Sequence, residues 1–154
     1  MIELVSAVPI DEPAMIDLVS RMIEQLPPSG GAHGVQRFKS VSLRVVRDDE
    51  MRRLHRAYSS DDTTTDVLTF VHGNAEEGLE VDIALCADEA ARRSGELGHP
   101  LANELALYAV HGLLHAVGFH DQTAEESQQM HAHEDRILTA LGLGAVYAPR
   151  GEQQ

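Results

Sequence analysis

The chain has a single cysteine, Cys86, in 154 residues. A disulfide within it is impossible, so a reducing compartment is the natural expectation. Cys86 itself reads as a small buried hydrophobe on a strand. Lysine is almost as scarce: Lys39 stands alone among 12 basic residues, against 25 acidic ones, for a formal net charge of −13. That poverty of cations argues against nonspecific nucleic-acid binding through a broad basic surface, which works by displacing counterions. A nucleic-acid partner then requires a local arginine patch or a metal ion to supply the positive field. No apolar run approaches the length needed to cross a bilayer, so no membrane partner is expected. The opening "MIELVSAVPIDEPAM" has no basic n-region and meets acids within a few residues. It does not read as a secretory leader, and a cytoplasmic location is expected.

What is present is ordinary material for one globular domain spanning 1–154, at 43% hydrophobic and 24% charged. "IELVSAV" reads as a first strand. "DEPAMIDLVSRMIEQL" follows as a helix, with Asp11 as its cap and Met15, Leu18, Met22 and Leu26 at helical spacing. "PPSGGAHG" breaks the chain as a flexible connection. "QRFKSVSLRVV" alternates like a strand, and "DDEMRRLHRAYS" opens with acids like a short helix. "SSDDTTTDVLTFV" runs from a polar loop into a strand, and "GLEVDIALC" is another strand beyond the turn "HGNAEEG". "ADEAARRSGEL" is helical and stops at "GHP". Leu101 to Val117 is apolar on nearly every side, which marks a central helix. A last helix starts at Thr123, which forms a capping box with Glu126, and ends near "LGLG". Four strands with helices before, between and after them predict an α+β layer.

The central helix carries the chemistry, in "HGLLHAVGFHD", residues 111–121. His111 and His115 are four apart, so they stand on one helix face and can hold a single Zn²⁺ between them. Their neighbours Ala109, Val110, Leu113, Leu114 and Val117 are apolar, and an unpartnered imidazole there would cost about 1–3 kcal/mol. Gly118 lets the backbone turn in a left-handed conformation and bring a third ligand back. His-x3-His-x2-Gly-x2-ligand is the spacing of metzincin zinc peptidases, and it puts the third ligand at Asp121, one residue past His120. Register favours Asp121, a competent carboxylate ligand. His120 remains the alternative, and whichever of the two does not ligate is expected to orient a ligand or face the substrate. In zinc peptidases the residue after the first histidine is a glutamate base. Here it is Gly112, which argues against peptidase chemistry.

These residues resemble the YbeY endoribonuclease family, which carries His-Gly-x-Leu-His-x-x-Gly-Tyr-Asp-His on a central helix. "LHRAYSSDDTTTDVLTF", residues 54–70, is similar to that family's Leu-Asn-x-x-Tyr-Arg-x-x-Asp-x-Pro-Thr-Asp-Val-Leu-Ser-Phe, and "EVDIALC" to its Gly-Asp-Ile-x-Ile strand through Asp82 and Ile83. The blocks come in family order. The resemblance implies a zincin-like metal helix packed on a four-stranded mixed sheet with about five helices. It also implies a cytoplasmic, metal-dependent single-strand endoribonuclease acting on ribosomal RNA at the small ribosomal subunit, in 3′-end maturation and ribosome quality control. His111 and His115 match two of the family's zinc histidines.

Two positions depart from the family pattern: its third histidine falls at Asp121, and its phosphate-binding arginine falls at Ser59, with Arg56 nearby as a candidate replacement. A ribosome-associated metalloprotein of diminished nuclease power is therefore the alternative reading, with a small metallopeptidase behind it. Three further residues are candidates for the catalytic group. Glu104, two helical turns before His111, is placed to orient or deprotonate water. Asp66, at a loop-to-strand junction, is placed to orient a ligand. His120 is the third. The remaining histidines, His33, His55, His72, His99, His131 and His133, are expected to be solvated.

Overall fold

The computed structural model describes residues 1–28, 37–59, 65–74 and 76–143, with Ser59 described by its backbone alone. The expected connection "PPSGGAHG" lies largely outside the described residues. Four strands, β1 (Ile2–Ser6), β2 (Phe38–Val46), β3 (Val67–Asn74) and β4 (Gly78–Cys86), form one mixed sheet in the order β1-β2-β4-β3. β1 and β2 run parallel, as do β2 and β4, while β3 pairs antiparallel with β4 across the hairpin. The sheet therefore has β3 as one of its two edges.

Five helices complete the α+β fold: α1 (Glu12–Gln25), α2 (Asp48–Ser59), α3 (Ala87–Leu97), α4 (Leu101–Ala116) and α5 (Ala124–Ala140). Strand alternation sorts them between the faces. Val41, Leu43 and Val45 of β2 and Val81, Ile83 and Leu85 of β4 meet α1 and α4 in the main core. The intervening Val46, Ala84 and Cys86 turn to the other face, where α2 covers them through Met51 and Leu54. Cys86 is fully buried at the end of β4, and its thiol donates to Asp48. Among the described residues no helix is long and apolar enough to cross a membrane.

α4 is buried from Glu104 to Val110 and again at Gly112, Leu113 and Leu114, which is why its sequence shows no polar stripe. It can lie this close to the sheet because of Gly112. A Cβ there would stand 2.9 Å from Thr69 Oγ1 and 3.0 Å from Ile83 Cγ2. The helix ends as a glycine-capped turn: Gly118 has φ +103°, its N–H donates to His115 O, and Phe119 N–H donates to Leu114 O. α5 then starts at once, with Thr123 Oγ1 accepting from Glu126 N–H and the Glu126 carboxylate accepting from Thr123 N–H. Only a few residues separate the glycine bend from that cap, so the path of Asp121 is fixed from both sides.

Candidate metal centre

The C-terminal half of α4 and the edge strand β3 form the walls of a cleft of about 480 Å³. It is lined by Thr65, Asp66, Val67, Leu68, Thr69, Val71, His111, His115 and Asp121. Helical spacing brings the two imidazoles together edge to face, with His115 Nε2 3.1 Å from His111 Nε2. The glycine bend returns the chain so that Asp121 Oδ2 lies 3.5 Å from His111 Nε2 and Oδ1 lies 3.7 Å from His115 Nε2. His120 is exposed, its ring centroid 6.4 Å from that of His115. Both adjacent side chains come near the pair, and the Asp121 carboxylate is the one that approaches both Nε2 atoms.

The donor set fits a divalent ion. Two nitrogens bound at 2.0–2.1 Å to a tetrahedral ion stand about 3.3 Å apart. The three separations here bracket that value, and the three donors lie within 4.8 Å of one another. The group could hold a metal ion without rearrangement of its backbone.

Behind His111 stands a residue that no motif marks. Glu134 of α5 is 1% exposed; its Oε2 is 2.5 Å from His111 Nδ1 and its Oε1 is 2.9 Å from His131 Nδ1. The sequence signal for it is positional: Glu134 shares a buried helical stripe with Met130, Ile137 and Leu138. Burial works against protonation of His111, but the Glu134 hydrogen bond and the negative charges of Glu134, Asp66 and Asp121 outweigh it and raise the imidazole above its usual value. Burial and the adjacent His111 hold His115 below its usual value, which favours the neutral form that can ligate. Burial pushes Glu134 up, yet its bonds to His111 and His131 leave it below the ordinary carboxylate range.

The other expected site residues separate. Asp66 lines the cleft, with Oδ1 accepting from Val67 N–H at 2.8 Å. Glu104 is not among the described lining residues. It is fully buried and hydrogen-bonded to His99 Nε2 at 2.8 Å. The helical period does put it on the face of His111, but seven residues amount to about 10 Å along the axis, which carries it below the cleft into the core. The expectation that the remaining histidines are solvated holds at exposed His72, is only partly met at half-buried His55 and His133, and fails at His99 and His131, each mostly buried against a carboxylate. The cause is the same at both positions: a buried carboxylate needs a donor. His33 lies outside the described residues. Arg56 is exposed in the last turn of α2, and Ser59 ends that helix.

Fold and site together define a class: an α+β protein with a His-His-Asp group at the mouth of an open cleft beside a sheet edge. The chain belongs to the YbeY endoribonuclease family, whose model, described as Endoribonuclease YbeY, matches residues 4–142. It is 37% identical over 144 residues to the endoribonuclease YbeY of Moorella thermoacetica, covering 86% of this chain and 92% of that one. It is 40% identical over 108 residues to that of Aromatoleum aromaticum, covering 70% of each. In fold it is similar to the solution structure of TM1509 from Thermotoga maritima, at a TM-score of 0.58 and 21% identity over 92% of this chain and 91% of that one.

Proposed function

We propose that this single domain is a metal-dependent endoribonuclease that cuts single-stranded ribosomal RNA. It acts in the cytoplasm on the small ribosomal subunit, in 3′-end maturation and in ribosome quality control. Family membership supports the RNA-cleaving reading. The observation that carries the metal dependence is the convergence of His111 Nε2, His115 Nε2 and the Asp121 carboxylate on one point at the cleft wall.

His111, His115 and Asp121 are the residues that would hold the ion, with Zn²⁺ favoured by two imidazoles and a carboxylate. Such an ion supplies Lewis acidity toward a phosphodiester and toward water. The chain's own residues do the rest. The cleft runs beside the edge strand β3 and is lined by its Val67, Leu68, Thr69 and Val71. Asp66, held by the Val67 N–H, presents a fixed acceptor to a water or a ribose hydroxyl in the cleft. His120, exposed beside the group, faces the substrate. Gly112 contributes no carboxylate base, so proton removal falls to Asp66 or to the substrate's own surroundings.

The test is cleavage of a single-stranded RNA carrying a small-subunit 3′ extension. Zinc-loaded wild type is compared with His115→Ala prepared identically. Wild type is expected to cut and the variant to be inert. Equal cutting by both would remove the reading. A carboxylate in place of the family's third histidine and the absence of its arginine at residue 59 favour slow turnover over a fast enzyme.

A further inference from the structure

A carboxylate in the stripe formed by Met130, Ile137 and Leu138 needs a reason, because a leucine would serve the core there and a buried charge is costly unless fully paired. Both of its oxygens are engaged by imidazoles, one on α4 and one on its own helix. We propose that Glu134 is the positioning residue of the metal group: with His131 clamping its far oxygen, it fixes the ring of His111 so that only Nε2 is offered to an ion. The proposal rests on the reading that His111, His115 and Asp121 hold the metal.

The geometry runs in one line. His131 Nδ1 donates to Oε1 from one turn earlier on α5, which sets the plane of the carboxylate. Oε2 then accepts the Nδ1 proton of His111, and this selects the tautomer whose lone pair is on Nε2. That lone pair is the one 3.1 Å from His115 and 3.5 Å from Asp121. A carboxylate on the far nitrogen also makes the imidazole a stronger donor to a metal. The capping box at Thr123 begins α5 just after Asp121, so one helix start both ends the ligand segment and registers Glu134 behind His111.

The experiment measures Zn²⁺ affinity by competition with a chromophoric chelator for wild type, Glu134→Gln and His115→Ala, with the fold of each metal-free protein checked by circular dichroism. Glutamine keeps the shape and one acceptor but loses the charge, and is expected to weaken Zn²⁺ binding about 10- to 100-fold. A Glu134→Gln affinity equal to wild type, with His115→Ala impaired, would overturn the proposal. Wild-type affinity in His115→Ala would instead remove the ligand group on which it rests. Nitrogen-15 spectra of the zinc-loaded wild type decide the matter without any variant. A protonated Nδ1 and a metal-bound Nε2 on His111 are expected, and the opposite assignment would overturn the proposal even if Glu134→Gln failed to fold.

Discussion

Residue 112 joins the fold to the chemistry. A zinc peptidase keeps its general base at this position, but here a side chain would strike Thr69 and Ile83, so the helix meets the sheet through a bare backbone. Gly112→Ala is expected to cost about 1–3 kcal/mol in overpacking. Up to about 1 kcal/mol returns as helix propensity. A net loss of about 1–2 kcal/mol should appear as a melting temperature lower by roughly 2–8 °C. An unchanged melting curve would mean that α4 has room to lift off β3 and β4. Residues 120 and 121 invite a sharper comparison. With the Asp121 carboxylate beside both imidazoles and His120 turned to solvent, Asp121→Ala is expected to weaken Zn²⁺ binding, and His120→Ala to leave it unchanged. Asp121→His, which restores the family residue, is expected to retain the metal. Elemental analysis after dialysis against a weak chelator reads all three, and the reverse ranking would move the third ligand to His120.

Among the elements, α4 and the turn after it were the most legible in sequence. Neither a four-residue histidine spacing nor a glycine past the last helical turn is specific alone, but together with a ligand three residues beyond the glycine they are, and the structure puts the bend at Gly118. The caps at Asp11 and Thr123 were legible for the same reason, since each is a local side-chain-to-backbone bond. Strand order was not legible. No local signal says that β4 inserts between β2 and β3, yet that order is what sets β3 beside α4 as a cleft wall. α5 was misleading because "QQMHAHEDR" looks like a solvated helix, while Glu134 is buried against His111 of α4 and takes His131 as its second partner. The His111–Glu134 contact ties α4 to α5 and should show in the pH dependence of stability. His111 is raised above 6.5 in the folded chain, so its contribution is complete below that pH and is lost as pH rises through the raised value. Glu134 is lowered below 4.5, so its contribution is complete above that pH and is lost as pH falls through the lowered value. The metal-free protein should therefore exceed Glu134→Gln in melting temperature most between these two values, with the gap narrowing above neutrality. A gap that does not change between pH 5.5 and pH 8.5 would contradict this coupling.

At the scale of the molecule, an RNA-cleaving protein with a formal charge of −13 has to draw its attraction for phosphate from somewhere. The arginines are poor candidates, because acids on the surface neutralise many of them. Arg44 and Arg53 pair with Glu50, Arg47 with Asp88, Arg52 with Asp49, Arg92 with Asp48 and Glu89, and Arg93 with Glu96. On the proposed reading, a divalent ion held by His111, His115 and Asp121 would then supply the main positive charge at the cleft. A protein making six to ten phosphate contacts loses about 10³–10⁵ in affinity between 50 and 200 mM salt, whereas about two contacts to a single strand give a slope near −1.4 and a loss of about sevenfold. Screening of the protein's own acids should flatten the slope further. Binding of a single-stranded RNA to the zinc-loaded protein is therefore expected to vary by no more than about tenfold across that range, and to vanish on chelation of the metal. A thousandfold fall with salt, or binding that survives chelation, would point to a cationic surface beyond these paired arginines, with exposed Arg56 the first residue to test, and the metal would no longer be what draws RNA to the cleft.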